Sequence, residues 1–161
     1  MPVTLIVAPM LIAMAAPLPA SGKGIYTPPV GSVERTVIIR ALKGGEDTGS
    51  RYTFKRFNVF RQRDRVISYL EGEGDIGGFQ AILTRDGKAP WRVVWSEGDG
   101  GSDSCMAGAR HYEWAIRLIK SHGVAPDTLF PGITARTREL KRRAVREPET
   151  QCVGDLDGGP Q

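Results

Sequence analysis

Large apolar side chains occupy every second position from Trp91 to Trp95, namely Trp91, Val93 and Trp95. Successive side chains of a strand point to opposite faces, so this pattern predicts a strand with three bulky residues on one core face. The Asp86-Gly87 pair just upstream is typical of a tight hairpin turn. The segment is therefore predicted to be the last strand of an antiparallel meander.

Three earlier runs have the same period of two, at residues 52–59, 65–70 and 79–83. In the first run the phase slips at Lys55-Arg56, and a β-bulge there would keep all its apolar residues on the core face. Residues 98–104 contain no apolar side chain and predict a loop. The pattern predicts a four-stranded sheet in sequential order.

Apolar residues at helical spacing lie before and after the meander in the sequence. Ser32 is a good N-cap for an amphipathic stripe over residues 33–42, and Gly44-Gly45 would end that helix. A second stripe runs from Tyr112 to Ile119 and ends at Gly123. The predicted fold class is α+β, with an N-terminal helix packed on the four-stranded antiparallel meander, followed by a second helix and a basic C-terminal tail.

The chain opens with an uncharged run from Leu5 to Ala16 that ends in small residues. Such a run is typical of a signal peptide and too short to span a bilayer, although no Lys or Arg precedes it. A buried N-terminal element is the alternative. The predicted organisation is a signal peptide over 1–20, an extended mature N-terminus over 21–31, one α+β domain over 32–131, and a tail over 132–161. The tail would be helical at first and then loose.

Export changes the interpretation of the two cysteines. Cys105 and Cys152 form an even pair in a compartment that permits disulfides, which predicts a bond between them; two free thiols are the alternative. The bond would join two acidic loops carrying Asp99, Asp103, Asp155 and Asp157. Four carboxylates on a glycine-rich backbone would suit Ca²⁺, and two solvated loops are the alternative. No other cofactor is predicted.

The net charge of +4 is local, because residues 133–147 hold six basic side chains against two acidic ones. A candidate site for an anionic partner is one helical face with Arg138, Lys141, Arg142, Arg143 and Arg146. In a cell envelope that partner would be a lipid headgroup, a wall polymer or an acidic protein. A solvated helix face is the alternative, and nucleic acid is disfavoured because no aromatic residues are interleaved with the charges.

Candidate catalytic residues are few. His111 and His122 are eleven residues apart, so on one helix they would lie about 16 Å apart along the axis and could not share a metal. The sequence has no nucleophile elbow, P-loop, dinucleotide fingerprint or Cys-x-x-Cys motif. The meander's predicted core faces carry no carboxylate or histidine. No catalytic residue is therefore assigned, and an enzyme is disfavoured.

Several short segments of the sequence resemble the corresponding segments of a group of small exported bacterial proteins of unknown function. They are Glu34-Arg35, Ile38 and Ala41-Leu42-Lys43 in the first helix, residues 52–59 in the first strand, the Trp91 strand, and Gly123-Val124-Ala125-Pro126 with Leu129-Phe130. The likeness covers residues 31–130. Ser68-Tyr69 departs from it, as does the basic tail. The resemblance implies a cystatin-like or NTF2-like fold, in which a helix packs on a curved sheet, and implies no activity.

Together these features predict a periplasmic or secreted bacterial protein with a non-catalytic binding or accessory role in the cell envelope, and without a membrane span. The alternative is an NTF2-like small-molecule binder or enzyme that uses the concave face of the sheet. An open pocket with a titratable group on that face would distinguish the second function from the first.

Overall fold

In a computed structural model, the described residues are 24–45 and 49–160. The predicted signal peptide, and the choice between it and a buried element, lie outside them. The elements in chain order are β1 (Ile25–Tyr26), α1 (Val33–Leu42), β2 (Thr53–Gln62), β3 (Arg65–Gly74), β4 (Gly77–Asp86), β5 (Arg92–Ser104), α2 (Cys105–Ser121), α3 (Pro126–Leu129), α4 (Ile133–Arg146) and β6 (Gln151–Gly158).

The sheet has six antiparallel strands in the order β1-β2-β3-β4-β5-β6. The α+β class is confirmed, but the predicted architecture of four strands, two helices and a basic tail is wrong. Ile25–Tyr26 pairs with β2 and adds one edge strand. The basic tail, expected to be helical and then loose, forms the helix α4, and its second part is not loose but forms β6, which pairs with β5 at the other edge.

Local sequence signals act as expected at two positions. The Ser32 side chain accepts a hydrogen bond from the Arg35 backbone N–H at 3.3 Å, which caps α1. In the pairing of β2 with β3 the register shifts between Phe54 and Arg56, so the predicted bulge is confirmed. Both features depend on residues close together in the chain.

The predicted single core face of the Trp91 strand is wrong. Val93 pairs with Leu83 and Trp95 pairs with Ile82, so Val94 is an extra residue in β5. This bulge reverses the alternation, because one additional residue turns every following side chain to the opposite face. Trp91 and Val93 consequently pack on the face that α1 covers, whereas Trp95 packs on the face covered by α2 and α4.

The sheet thus separates two cores. The larger one joins Ile67, Tyr69, Ile82 and Trp95 to the buried residues of α2, α3 and α4. The smaller one joins the opposite face to α1, from which Ile38 is fully buried. Since α1 has ten residues, it is about 15 Å long and covers only part of a six-stranded sheet. The main groove lies where residues 24–45 and 49–160 leave that face uncovered.

Candidate functional site

A groove of about 1320 Å³ lies between the C-terminal half of α1 and the neighbouring sheet face. Strands β4, β5 and β6 form its floor. The end of α1, Gly44-Gly45, Tyr52 and the turn over residues 74–78 form its walls. The groove is larger than most pockets for drug-sized ligands, which hold about 300–1,000 Å³. It is therefore the main candidate site in the part of the chain that the structure describes.

Strand register fixes the order of side chains along the floor. Ala81 lies opposite Ser96, which lies opposite Asp157; one step along, Phe79 lies opposite Gly98, which lies opposite Asp155. Because alternate residues share a face, Arg85 is on the same side of β4 as Phe79. Phe79 and Arg85 are six residues apart, so the floor is about 20 Å long at the rise of a strand.

One end of the groove is aromatic and basic. Trp91 is 7% exposed, and the Arg85 guanidinium carbon lies 5.3 Å from the centroid of the Trp91 ring. This distance is within the range of a cation–π contact. Arg40 and Arg92 also line the groove. The indole and the guanidinium therefore give this end an apolar surface with a positive charge beside it.

The other end is acidic. The Asp99 carboxylate accepts a hydrogen bond from the Gly78 backbone N–H at 2.5 Å, which ties β5 to the start of β4. The Asp155 side chain occupies the space beside Gly101, where an added Cβ would lie 2.0 Å from an Asp155 carboxylate oxygen. Glycine at position 101 is thus what allows β6 to approach β5 here. Asp75 and Asp157 line the groove as well.

Three of the four predicted calcium ligands, Asp99, Asp155 and Asp157, therefore line one groove. Asp103 is not among its lining residues, and its carboxylate accepts a hydrogen bond from the Leu156 backbone N–H at 3.2 Å. In residues 24–45 and 49–160, no three carboxylate, histidine or cysteine side chains meet in a geometry that could hold a metal. Calcium binding remains a prediction without geometric support.

Sequence reasoning placed no carboxylate or histidine on this sheet face, and that expectation is wrong. It assigned residues 98–104 to a loop and residues 154–161 to a loose end, whereas both belong largely to the paired strands β5 and β6. Asp99, Asp155 and Asp157 come from these strands. A signal was present in Val94, whose position next to Val93 breaks the strict alternation and changes the faces of all later residues.

The two cysteines lie at disulfide distance, with their Cα atoms 4.8 Å apart. Cys105 is the first residue of α2 and is fully buried, and Cys152 lies in β6. The pair therefore fastens the edge strand to the helix layer. Such a pair is compatible with an extracellular location. No helix in the described part of the chain is long and apolar enough to cross a membrane.

Both histidines are buried on the side of the sheet that α2 and α4 cover, and neither lines the groove. The His111 ring stacks on Trp95 with centroids 4.9 Å apart, and its Nε2 lies 3.0 Å from the Ser96 carbonyl oxygen. His122 Nδ1 lies 3.0 Å from the Leu118 carbonyl oxygen. Burial lowers the pKa of both imidazoles, because it disfavours the charged form. Their packing gives them a structural role.

A polar contact beneath the floor connects the sheet to α2. The Tyr112 hydroxyl donates a hydrogen bond to Glu97, and the other oxygen of that carboxylate accepts one from the Gly154 backbone N–H at 3.1 Å. Burial and the Glu97 charge raise the pKa of Tyr112, so this hydroxyl stays protonated. Glu97 thereby holds β6 against β5 on the face that α2 covers.

The predicted basic face is present on α4. Arg138, Lys141, Arg142 and Arg146 are exposed and Arg143 is half-buried, while Ile133, Thr137, Leu140 and Ala144 are buried against the rest of the domain. The Lys141 ammonium pairs with Glu113 of α2. Val145 is 85% exposed among these cations. The basic face lies on the opposite side of the sheet from the groove.

No family model, curated protein or solved structure matches the chain. The resemblance to the group of small exported bacterial proteins therefore remains a prediction.

Proposed function

We propose that the protein is an exported, non-catalytic binding protein that holds an elongated and largely apolar molecule in the groove. The observation that carries this proposal is the part of the sheet face beside α1 that the described residues leave open, floored by the half-buried Phe79 and Val93 with the buried Ala81 and Trp91 next to them. A face of this kind is covered in most sheets of an α+β domain. Leaving it open costs hydrophobic free energy that a ligand would recover, at about 25 cal/mol for each Å² buried.

Exposed apolar side chains at the groove support the same function. Ile76 is fully exposed at the turn between β3 and β4, and Val37 of α1 is 37% exposed. Both line the groove, from opposite walls. Single exposed apolar residues are common, but a contiguous set around a concavity is typical of a ligand site. A bound apolar chain would contact both walls.

The state of the groove's carboxylates favours binding over acid–base chemistry. Asp99 is held by a backbone N–H, and Asp155 is packed against Gly100 and Gly101. Their contacts fix the shape of the acidic wall. These carboxylates therefore set which charges the groove accepts.

Dye binding tests the groove directly. We expect 1-N-phenylnaphthylamine, a neutral dye that fluoresces in apolar surroundings, to bind the purified protein saturably. Ser96 lies at the middle of the floor, between Ala81 and Asp157 in register. We expect Ser96→Trp to weaken dye binding about tenfold or more, because an indole placed there fills the groove; tenfold corresponds to about 1.4 kcal/mol.

The matched control is Ser102→Trp, which adds the same ring at an exposed position outside the groove. It should bind the dye as the unmodified protein does. Saturable binding that Ser96→Trp leaves intact, or no saturable binding by the unmodified protein, would refute the groove as a binding site.

A second candidate function is attachment to an anionic surface through α4. The observation that favours it is the exposed Val145 within the cations Arg138, Arg142 and Arg146, since apolar and basic groups together suit the interface of an anionic bilayer. Each basic residue near such a surface contributes about 1 kcal/mol. The attraction should fall as salt screens it.

Vesicle co-sedimentation tests this second function. We expect binding to vesicles of phosphatidylglycerol and phosphatidylcholine, and none to phosphatidylcholine alone. Arg138→Glu with Arg142→Glu should weaken the binding by roughly thirtyfold, as expected for a loss of about 2 kcal/mol. Arg63→Glu with Lys88→Glu makes the same charge change in exposed turns away from α4 and is the control. Equal losses in both double variants would show that only net charge matters.

A further inference from the structure

Two buried N–H donors of residues that line the groove have no acceptor within the described ranges. They are Nε1 of Trp91 and Nε of Arg85. A third polar atom in the same state, the Ser68 hydroxyl, is fully enclosed in the core and does not line the groove. Buried N–H groups in native proteins are nearly always paired, because burial without an acceptor forfeits their hydrogen bonds to water. The two groove donors therefore indicate that oxygen acceptors belong at this end.

We propose that Arg85 and Trp91 bind the anionic headgroup of an amphiphile, a carboxylate or phosphate, whose apolar chain lies along the floor toward Phe79. This inference rests on the proposed function, because it names the ligand that the groove takes. The Arg85 guanidinium supplies a fixed positive charge with several N–H donors, which suits either headgroup. The adjoining Trp91 indole supplies one more donor and an apolar contact for the first carbons of the chain.

The acidic end sets the direction of the ligand. Asp99 and Asp155 lie beside Phe79, at the opposite end of β4 from Arg85. The negative charges of Asp99 and Asp155 repel an anionic headgroup placed beside them in a partly desolvated groove, so such a headgroup is excluded from this end. The groove therefore admits one orientation of a mono-anionic amphiphile and disfavours a molecule with an anion at each end.

Competition among ligands of equal chain length tests the proposal. Dodecanoate, dodecyl phosphate, dodecanol and dodecylamine would each displace the bound dye, at concentrations below those at which they form micelles. We expect one or both anionic ligands to bind about tenfold more tightly than dodecanol, as for a charge-assisted hydrogen bond. The two anions separate a carboxylate ligand from a phosphate ligand. Dodecylamine is the reversed case, because its ammonium is attracted to the acidic end, and its binding should not be weakened by loss of the Arg85 charge.

Substitution of Arg85 locates the preference. Arg85→Met should reduce the binding of the anions to the level of dodecanol, and saturable dye binding by this variant shows that the groove stays folded. Arg85→Lys should keep part of the advantage because the charge remains. Arg63→Met, at an exposed turn outside the groove, should behave as the unmodified protein does.

The outcomes separate the two proposals. Equal binding of the anions and dodecanol, or an anion preference that survives Arg85→Met, would overturn the headgroup site and leave the groove as an apolar binding site. Failure of the dye and of every ligand to bind would overturn both.

Discussion

Loss of the bond between Cys105 and Cys152 is expected to lower the free energy of unfolding by about 4 kcal/mol. The bond closes a segment of 47 residues, and reduction returns to the unfolded chain the conformational freedom that this closure removes. Domains of this size have total stabilities of about 5–15 kcal/mol. A loss of this size would therefore leave the protein marginally stable at ordinary temperature.

Urea unfolding of the oxidised and reduced protein measures the effect, with the midpoint and the slope recorded for each. Cys105 is fully buried whereas Cys152 is partly exposed, so the variants differ in what else they remove. Cys152→Ala should match the reduced protein closely, and Cys105→Ala should be less stable because it also leaves a cavity. A reduced protein with the midpoint of the oxidised one would mean that the bond does not stabilise the fold.

Stretches in which neighbouring residues determine the structure could be predicted from the sequence. The Ser32 cap, the bulge at Lys55-Arg56 and the turn at Asp86-Gly87 each depend on a few adjacent positions. Gly87 has a φ of 55°, which suits glycine at such a turn. The helical stripe from Tyr112 to Ile119 also gives α2, although the helix begins at Cys105 after a Ser104 cap. Local chemistry was sufficient for these elements.

The edge strands could not be predicted, because their stability comes from distant partners. Residues 98–104 contain no apolar alternation, and they extend β5 only because β6 pairs with them. Glycine makes this approach possible: a Cβ at Gly154 would lie 1.6 Å from the Gly98 carbonyl oxygen. In the sequence, this glycine and acid content is typical of a loop. The strand character therefore depends on contacts between residues 47 to 57 positions apart.

The same limitation explains why the groove was missed. Its apolar floor was predicted as strands, but Trp91 and Trp95 were assigned to one face. With that assignment Ser96 does not share a face with Trp91 and Val93, and without a predicted β6 the carboxylates of Asp155 and Asp157 are absent from the sheet. The bulge at Val94 and the pairing of β6 together create the groove, and each involves a register that only the folded sheet defines. The site thus depends on tertiary structure more than the fold class does.

One face of the sheet carries most of the core, and the other carries the proposed binding groove. The face under α2 and α4 carries the larger core and both buried histidines. The face beside α1 has the smaller core and keeps an open groove. Substitutions on the first face should therefore reduce stability, whereas substitutions in the groove should change binding with less effect on folding.

Replacement of Trp95 by Ala is expected to cost about 3–5 kcal/mol of unfolding free energy, as large aromatic residues in cores do. Trp95 is fully buried at the centre of the larger core, where it stacks on His111 and meets Tyr112 and Phe130 at centroid distances of 5.3 and 5.6 Å. Its indole N–H also donates to the His111 carbonyl oxygen at 3.2 Å. The variant would lose this packing and the hydrogen bond together.

A matched pair of phenylalanine variants separates the hydrogen bond from the packing. Trp95→Phe removes an indole N–H that has an acceptor, and Trp91→Phe removes one that has none among the described residues. Both variants replace an indole with a phenyl ring. Trp95→Phe should therefore lower the free energy of unfolding, measured in urea, by about 1 kcal/mol more than Trp91→Phe does. Because Trp91 belongs to the proposed headgroup site, Trp91→Phe should weaken anion binding while Trp95→Phe leaves it unchanged. Equal stability losses would contradict the different roles of the two indoles, and so would equal effects on anion binding.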